Sequence, residues 1–170
     1  MKRLSHIVPA ILVAGCLLSC HDSKQAITFP EPPRAKGVTD VLELRCDPLD
    51  TVRVAFIGLG MRGSGAVHRY TFLEGVKVVA LCDVVPENIE RANKTLEERG
   101  FSKAEAYTGP EDWKKICERP DVDLVYVCTH WDLHAPIGVY AMEQGKHVAL
   151  EVPAALTIEE CWQLVNTAEN

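Results

Sequence analysis

Val52-Arg-Val-Ala-Phe-Ile57 runs directly into Gly58-Leu-Gly60-Met-Arg-Gly63, and Val76-Lys-Val-Val-Ala-Leu-Cys82 runs into Asp83. The first run is nearly continuous in β-forming apolar residues, as a parallel strand covered on both faces requires. The glycines then mark a tight turn opening a helix. Gly58 permits the turn, Gly60 lets a phosphate approach the main chain, and Gly63 lets the helix pack close to the strand. The helix start offers free N–H groups and the positive end of its dipole. Asp83 ends the second strand about twenty residues after the loop, where a carboxylate can accept hydrogen bonds from adenosine ribose hydroxyls and repel a 2′-phosphate. The order strand, glycine loop, strand, carboxylate predicts a dinucleotide site and favours NAD over NADP. The competing reading is a glycine-rich turn followed by a helix-capping aspartate.

Strands and helices alternate onward from this unit. A first helix is expected from Gly63 to about Leu73. A second opens at Pro86 and stops before Gly100, with Ile89, Ala92 and Leu96 facing inward. A short third strand lies at Ala104 to Tyr107. Pro110 opens a helix whose inner side is Trp113, Ile116 and Cys117. Asp121 to Cys128 forms the fourth strand, apolar from Leu124. Pro136 opens a helix that Gly145 ends, Lys146 to Leu150 forms the fifth strand, and Thr157 with Glu160 caps the last helix. The fold class is therefore α/β, a doubly wound parallel Rossmann sheet with right-handed crossovers. The domain is assigned to residues 51–170, long enough to bury a core. A sixth strand is missing from the pattern and the last helix has no C-cap glycine. The chain thus reads as part of a longer protein, with its sheet truncated before the last strand and a second, substrate-binding domain absent.

Residues 1–50 read differently. Met1-Lys-Arg3 is a positive n-region, and Ile7 to Leu18 is an apolar stretch too short to span a bilayer comfortably. Val13-Ala-Gly-Cys16 and Leu17-Leu-Ser-Cys20 each resemble a lipobox. Cys20 is the favoured lipidation site, because polar residues follow it at once whereas Cys16 would leave two leucines after the anchor. Residues 1–20 are thus expected to be a lipoprotein signal, with an ordinary signal peptide or a membrane-anchored start as the alternative. No Arg-Arg pair supports twin-arginine export. Residues 21–50 are a tether and lead-in, proline-rich at Phe29-Pro-Glu-Pro-Pro-Arg34, with Val41 to Leu44 as a short strand or packing segment. The expected location is an exported protein, lipid-anchored to a bacterial membrane in the periplasm or at the cell surface. Cys46, Cys82, Cys117, Cys128 and Cys161 then remain, an odd set that reads as buried thiols rather than a disulfide framework. No metal site is expected, since no ligand spacing occurs. A net charge of −6 with no basic patch argues against nucleic acid as a partner.

Ligands of open α/β sheets bind beyond the carboxyl ends of the strands, which selects Met61-Arg62, Asp83, Thr129 to His134, and Glu151-Val-Pro153. His134 follows the fourth strand and either bonds a cofactor ribose or substrate hydroxyl, or caps a helix. Trp131 either lines the nicotinamide pocket or packs a loop. Glu151 either orients a sugar hydroxyl or accepts a proton, or is a solvated loop acid. Arg62 reaches the pyrophosphate or is a surface charge, and His147, inside a strand, reads as structural.

Taken together, the glycine loop with Met61-Arg62, Asp83, Cys128-Thr-His-Trp-Asp-Leu-His134 and Glu151-Val-Pro-Ala154 resemble the glucose–fructose oxidoreductase / inositol dehydrogenase / MocA-like superfamily. Within it, they resemble most the NAD-dependent α-N-acetylgalactosaminidases of glycoside hydrolase family 109. Sugar dehydrogenases of the superfamily usually carry Glu-Lys-Pro where this chain has Glu151-Val152-Pro153, a departure that agrees with the glycosidase branch. The resemblance implies that Gly58, Gly60, Met61, Arg62, Gly63, Asp83, Trp131, Asp132, Leu133, His134, Glu151 and Val152 surround NAD. It leaves Glu151 and His134 as contributors to catalysis, with the main catalytic groups in the second domain. The implied chemistry is oxidation of the sugar at C3, loss of the C2 proton with elimination of the glycosidic group, addition of water, and reduction that regenerates the cofactor. The implied partner is a glycan with terminal N-acetylgalactosamine, with self-association left open. Without that second domain, this chain alone is expected to bind NAD weakly or fold poorly, and not to hydrolyse glycosides. The competing functions are an NAD-dependent sugar or polyol dehydrogenase and a non-catalytic dinucleotide-binding module.

Overall fold

The computed structural model describes residues 28–170, so Cys16, Cys20 and the first part of the tether lie outside the described residues. The chain divides into two units after Glu31. Of the first, residues 28–31 are exposed and have no regular structure. The second unit holds the fold. Its early part, through Asp50, forms no strand. Val41 to Leu44 is a turn closed by a hydrogen bond from the Leu44 N–H to the Val41 carbonyl (3.1 Å), and Leu42 and Leu44 are exposed. Their apolar side chains find no sheet edge, which corrects the expected strand or packing segment.

Five strands follow: β1 (Val52–Ile57), β2 (Val76–Cys82), β3 (Glu105–Tyr107), β4 (Leu124–Val127) and β5 (His147–Leu150). They form one parallel sheet in the order β3-β2-β1-β4-β5. β1 is central and pairs with both β2 and β4, which is why Val54 to Ile57 are buried and the run lacks polar alternation. A register shift opposite Val54 and Ala55 marks a bulge against β2. The chain crosses from β3 back over β1 to β4. The loops after β1 and β4 therefore diverge and leave a crevice between them, the place where such sheets bind ligands.

The helices are α1 (Met61–Tyr70), α2 (Pro86–Glu98), α3 (Asp112–Cys117), α4 (His134–Glu143) and α5 (Ile158–Glu169), with a 3₁₀ turn at Trp131–Leu133 before α4. Two cores flank the sheet. Val54, Phe56 and Leu81 pack with Ala66 and Val67 of α1 and with Ile89, Ala92 and Leu96 of α2. Ala55, Ile57, Val125 and Val127 pack with Trp113, Ile116 and Cys117 of α3 and with Ile137 and Ala141 of α4. Alternate residues of β1 thus serve opposite faces, and the expected inner faces of α2 and α3 are those observed. α1 begins two residues before the expected Gly63, because the turn is complete at Gly60. α4 begins at His134 rather than at Pro136, since the 3₁₀ turn feeds directly into it. The Thr157–Glu160 capping box of α5 is formed in both directions.

His147 lies in β5, as expected, at its first position with the side chain exposed. The expectation for the cysteines changes. Cys82 and Cys117 are buried and Cys128 half-buried, but Cys46 and Cys161 are exposed. Cys161 lies on α5, which docks on α4 and buries no residue fully, so its apolar positions do not reach a core. All five thiols are free.

At the opposite end of the sheet from the crevice, Arg53 of β1 grips Asp123 ahead of β4. The main-chain N–H (2.8 Å), Nε (2.9 Å) and Nη2 (2.5 Å) of Arg53 all donate to that carboxylate. The bidentate pair pulls the Asp123 carboxyl down to about 2. A depressed carboxyl contributes stability above its unfolded pKa of about 3.9 and loses it as pH falls towards the folded value. Asp123→Asn is therefore expected to lower the Tm by a few degrees at pH 7, about 1 kcal/mol after allowance for solvent screening. The gap should close as pH approaches 2. Thermal melts across that range check it, and a gap independent of pH would reject the ion pair as the cause.

Candidate functional site

The glycine loop is shaped by contacts no side chain would survive. Gly58 has φ +87°, and a Cβ there would lie 2.7 Å from the main chain of Cys128 and Thr129. A Cβ on Gly63 would lie 1.9 Å from the Gly58 carbonyl oxygen. β1, the first turn of α1 and the end of β4 are thus pressed together at the main chain. Gly60 is different: a Cβ there would meet nothing within 4 Å, so this glycine faces open space. α1 has no acidic residue in its first turn and no side chain capping its N-terminus. Its first N–H groups and the positive end of its dipole are left for an anion above Gly60. Cys128 packs under this loop, and burial pushes its thiol up to about 12, so it adds no negative charge beneath a phosphate.

Asp83 stands across the crevice. Its Oδ2 accepts from the Leu59 N–H (2.6 Å) and its Oδ1 from the Val85 N–H (2.8 Å). The carboxylate therefore braces the glycine loop from the end of β2. Each oxygen retains a lone pair for a further donor, such as a vicinal diol. Between Asp83 and the loop after β4 lies a cleft of about 300 Å³, walled by Val84, Val85, Pro110, Thr129 and Leu133. A flat apolar base with a ribose reaching Asp83 and a pyrophosphate over Gly60 matches this set of donors, walls and open space. The residues present fit an adenine dinucleotide.

The other end of the crevice is carried by the loops after β4 and β5. Glu151 continues the β5 ladder, its N–H bonded to the Val127 carbonyl (3.0 Å). Its side chain is mostly buried, with Oε1 accepting from the Tyr126 hydroxyl (3.0 Å) and Oε2 lying 3.8 Å from Arg62 Nε. Glu151 is thus no solvated loop acid, and Arg62, 70% exposed, is only loosely paired with it. Met61 and Val152 are exposed at 92% and 85%, and Trp131 at 61%, so these three form an apolar rim rather than packed walls. Trp131 and Asp132 line, with Leu156, a shallow open hollow beside the crevice.

His134 lies buried between the loops after β4 and β5. Its side chain is 1% exposed, with Nδ1 2.7 Å from the Pro153 carbonyl oxygen and Nε2 3.1 Å from the Thr129 carbonyl oxygen. It caps no helix, and both ring nitrogens face carbonyl oxygens. Its contact with Pro153 ties the loop after β4 to the loop after β5, the segments bearing Trp131 and Glu151. Sequence position put His134 at the right height and gave no sign of its contact with Pro153. Tyr126 was missed by the same reading, although a hydroxyl in the otherwise aliphatic Leu124-Val-Tyr-Val127 run requires a buried hydrogen-bond partner.

A family model described as the oxidoreductase family, NAD-binding Rossmann fold, matches residues 52–170. Glycosyl hydrolase family 109 protein 1 of Phocaeicola vulgatus is 55% identical over 99% of this chain and 38% of its own length. An α-N-acetylgalactosaminidase of Bacteroides fragilis is 55% identical over 77% of this chain and 31% of its own length. Among solved structures, myo-inositol dehydrogenase from Lactobacillus casei, in complex with NAD(H) and myo-inositol, superposes with a TM-score of 0.58 at 28% identity. That match covers 69% of this chain and 33% of the dehydrogenase. The chain spans about a third of the length of the curated relatives it matches.

Proposed function

Because the chain belongs to the Gfo/Idh/MocA oxidoreductase family and forms its NAD-binding Rossmann domain, we propose that it is the cofactor-holding part of a glycosidase releasing terminal α-N-acetylgalactosamine from glycans. The observation that carries this reading is Val152. An aliphatic side chain, 85% exposed, stands on the crevice rim beside Glu151. The superfamily's sugar dehydrogenases usually place a lysine there. Valine cannot take or give a proton, so this chain departs there from the dehydrogenase pattern, and in either reading the proton of the oxidised hydroxyl must pass to another group. The similarity to an α-N-acetylgalactosaminidase supports the same branch.

In this reading the residues divide the work. Asp83 holds the adenosine ribose, the Gly60 turn and the first turn of α1 hold the pyrophosphate, and Arg62 adds a positive charge beside it. Trp131 to His134 shape the far wall, with His134 acting through the loops it joins. Glu151, Val152 and Trp131 face the half of the crevice where the sugar would meet the cofactor. Bound NAD supplies reversible oxidation of a sugar hydroxyl to a ketone, which acidifies the neighbouring C–H and lets the glycosidic group leave by elimination.

The test is cleavage of an aryl α-N-acetylgalactosaminide in D₂O by the complete gene product carrying this sequence. Aglycone release with deuterium at C2 of the sugar and no net NADH is expected. NADH accumulating with an oxidised sugar and no aglycone would instead establish a sugar or polyol dehydrogenase. The same reading places the protein outside the cytoplasm on a lipid anchor at Cys20, supported by the charged start, apolar stretch and lipobox-like Leu17 to Cys20. Fatty-acid labelling is expected to vanish in Cys20→Ser. Labelling that persists there and vanishes in Cys16→Ser would move the anchor.

A further inference from the structure

Tyr126 lies in β4 between two other rings. It stacks on Phe56 of β1 (centroids 5.4 Å, 23°) and meets Tyr70 of α1 edge-on (5.7 Å, 84°), while Phe56 and Tyr70 meet edge-on at 5.1 Å. Three aromatic side chains from three elements leave the phenol little freedom. A hydroxyl within such a cluster is costly unless bonded. Its partner is Glu151 Oε1 at 3.0 Å, and the other oxygen of that carboxylate lies 3.8 Å from Arg62 Nε. Burial and the adjoining carboxylate raise the Tyr126 pKa, so the hydroxyl stays protonated and donates. A carboxylate at the end of β5 is thereby joined to the phenol below it and to the guanidinium on the glycine loop.

We propose that Tyr126 is a positioning residue for cofactor binding: its hydroxyl holds the Glu151 carboxylate back against the sheet, leaving Arg62 free to turn to the pyrophosphate. The inference rests on the reading that this crevice holds NAD with its pyrophosphate over Gly60. Arg62 is 70% exposed and only loosely paired, whereas Glu151 is 18% exposed and firmly bonded. The flexible member of the pair is therefore the cation, and the fixed member is the anion that would otherwise repel a phosphate. Without the phenol hydroxyl, Glu151 has Arg62 as its remaining partner. It would compete with the pyrophosphate for that guanidinium and bring its own negative charge closer. Residues touching the cofactor are recognisable from the loops; Tyr126 acts one layer beneath them.

The experiment is calorimetric titration of the complete chain with NAD⁺ and, separately, adenosine, in wild type, Tyr126→Phe, Glu151→Gln and the double variant. Phenylalanine keeps the ring stack and removes one oxygen, so the fold should persist, and thermal melts report it. Tyr126→Phe is expected to weaken NAD⁺ about three- to tenfold, the range for one hydrogen bond to a partly screened charge. Adenosine, which carries no phosphate, should bind unchanged. In the Glu151→Gln background the same substitution should change NAD⁺ affinity less than about twofold, because the charge it restrains is gone. Equal losses in both backgrounds, or a parallel loss of adenosine, would overturn the inference and leave only a packing role for Tyr126. Wild-type chain that binds adenosine but not NAD⁺ would overturn both the inference and the cofactor placement beneath it.

Discussion

Gly63→Ala is expected to leave a chain that does not fold stably, and therefore does not bind NAD. The added methyl would lie 1.9 Å from the Gly58 carbonyl oxygen and 2.8 Å from its carbon, both main-chain atoms. Gly58 cannot move aside, because its own environment closes on the Cys128 and Thr129 main chain at 2.7 Å and its φ of +87° is already one that side chains avoid. Relief requires α1 to lift from the sheet, which would also unpack Ala66 and Val67, both 0% exposed. The cost should exceed about 3 kcal/mol, a large part of the 5–15 kcal/mol that holds an ordinary domain together. Gly60→Ala is the matched control. Open space surrounds that position, so its Tm should stay within a few degrees of wild type while NAD⁺ affinity falls at least about tenfold as the methyl meets the phosphates. Thermal melts paired with NAD⁺ titration check both variants. A Gly63→Ala chain melting like wild type would show that α1 is not pressed against the loop.

Asp83→Ala is expected to weaken NAD⁺ by about a hundredfold. Two ribose hydroxyls lose a charged acceptor, and charged hydrogen bonds contribute about 1.5–3 kcal/mol each before compensation by water. The brace goes too, since the Leu59 and Val85 N–H groups both donate to this carboxylate. Asp83→Asn keeps one acceptor oxygen and removes the charge, so it should lose less NAD⁺ affinity and most of the discrimination against NADP⁺. Titration with both dinucleotides separates the two effects. NADP⁺ remaining excluded in Asp83→Asn would show that something other than the carboxylate's charge rejects the 2′-phosphate.

The parts of the site that are main-chain geometry were legible in the sequence. Gly58, Gly60 and Gly63 occupy positions where a side chain would clash or block, so their spacing carries the turn by itself. Asp83 was legible for a related reason: the end of β2 is fixed once the apolar run of Val76 to Cys82 is recognised. Side chains whose roles depend on a distant neighbour were not. His134 is sequentially far from Pro153, and nothing local reveals that its Nδ1 meets the Pro153 carbonyl. Tyr126 and Glu151 meet because β4 and β5 are adjacent with Tyr126 opposite Ala149, a register that the residues between them do not encode. Val41 to Leu44 misled because apolar content was read without a partner surface, and Cys161 because a helix docked on another helix, not on the sheet, leaves part of its apolar stripe in solvent.

Each of these roles follows from where the dinucleotide lies, and a crystal structure of the NAD⁺ complex measures that directly. The predicted result has the adenosine ribose bonded to Asp83, the pyrophosphate over Gly60 at the start of α1 with Arg62 turned towards it, and the nicotinamide between Trp131 and Glu151-Val152. Glu151 should still be bonded to the Tyr126 hydroxyl. A cofactor whose ribose lies away from Asp83, or whose nicotinamide ends outside the crevice between the β4 and β5 loops, would contradict it.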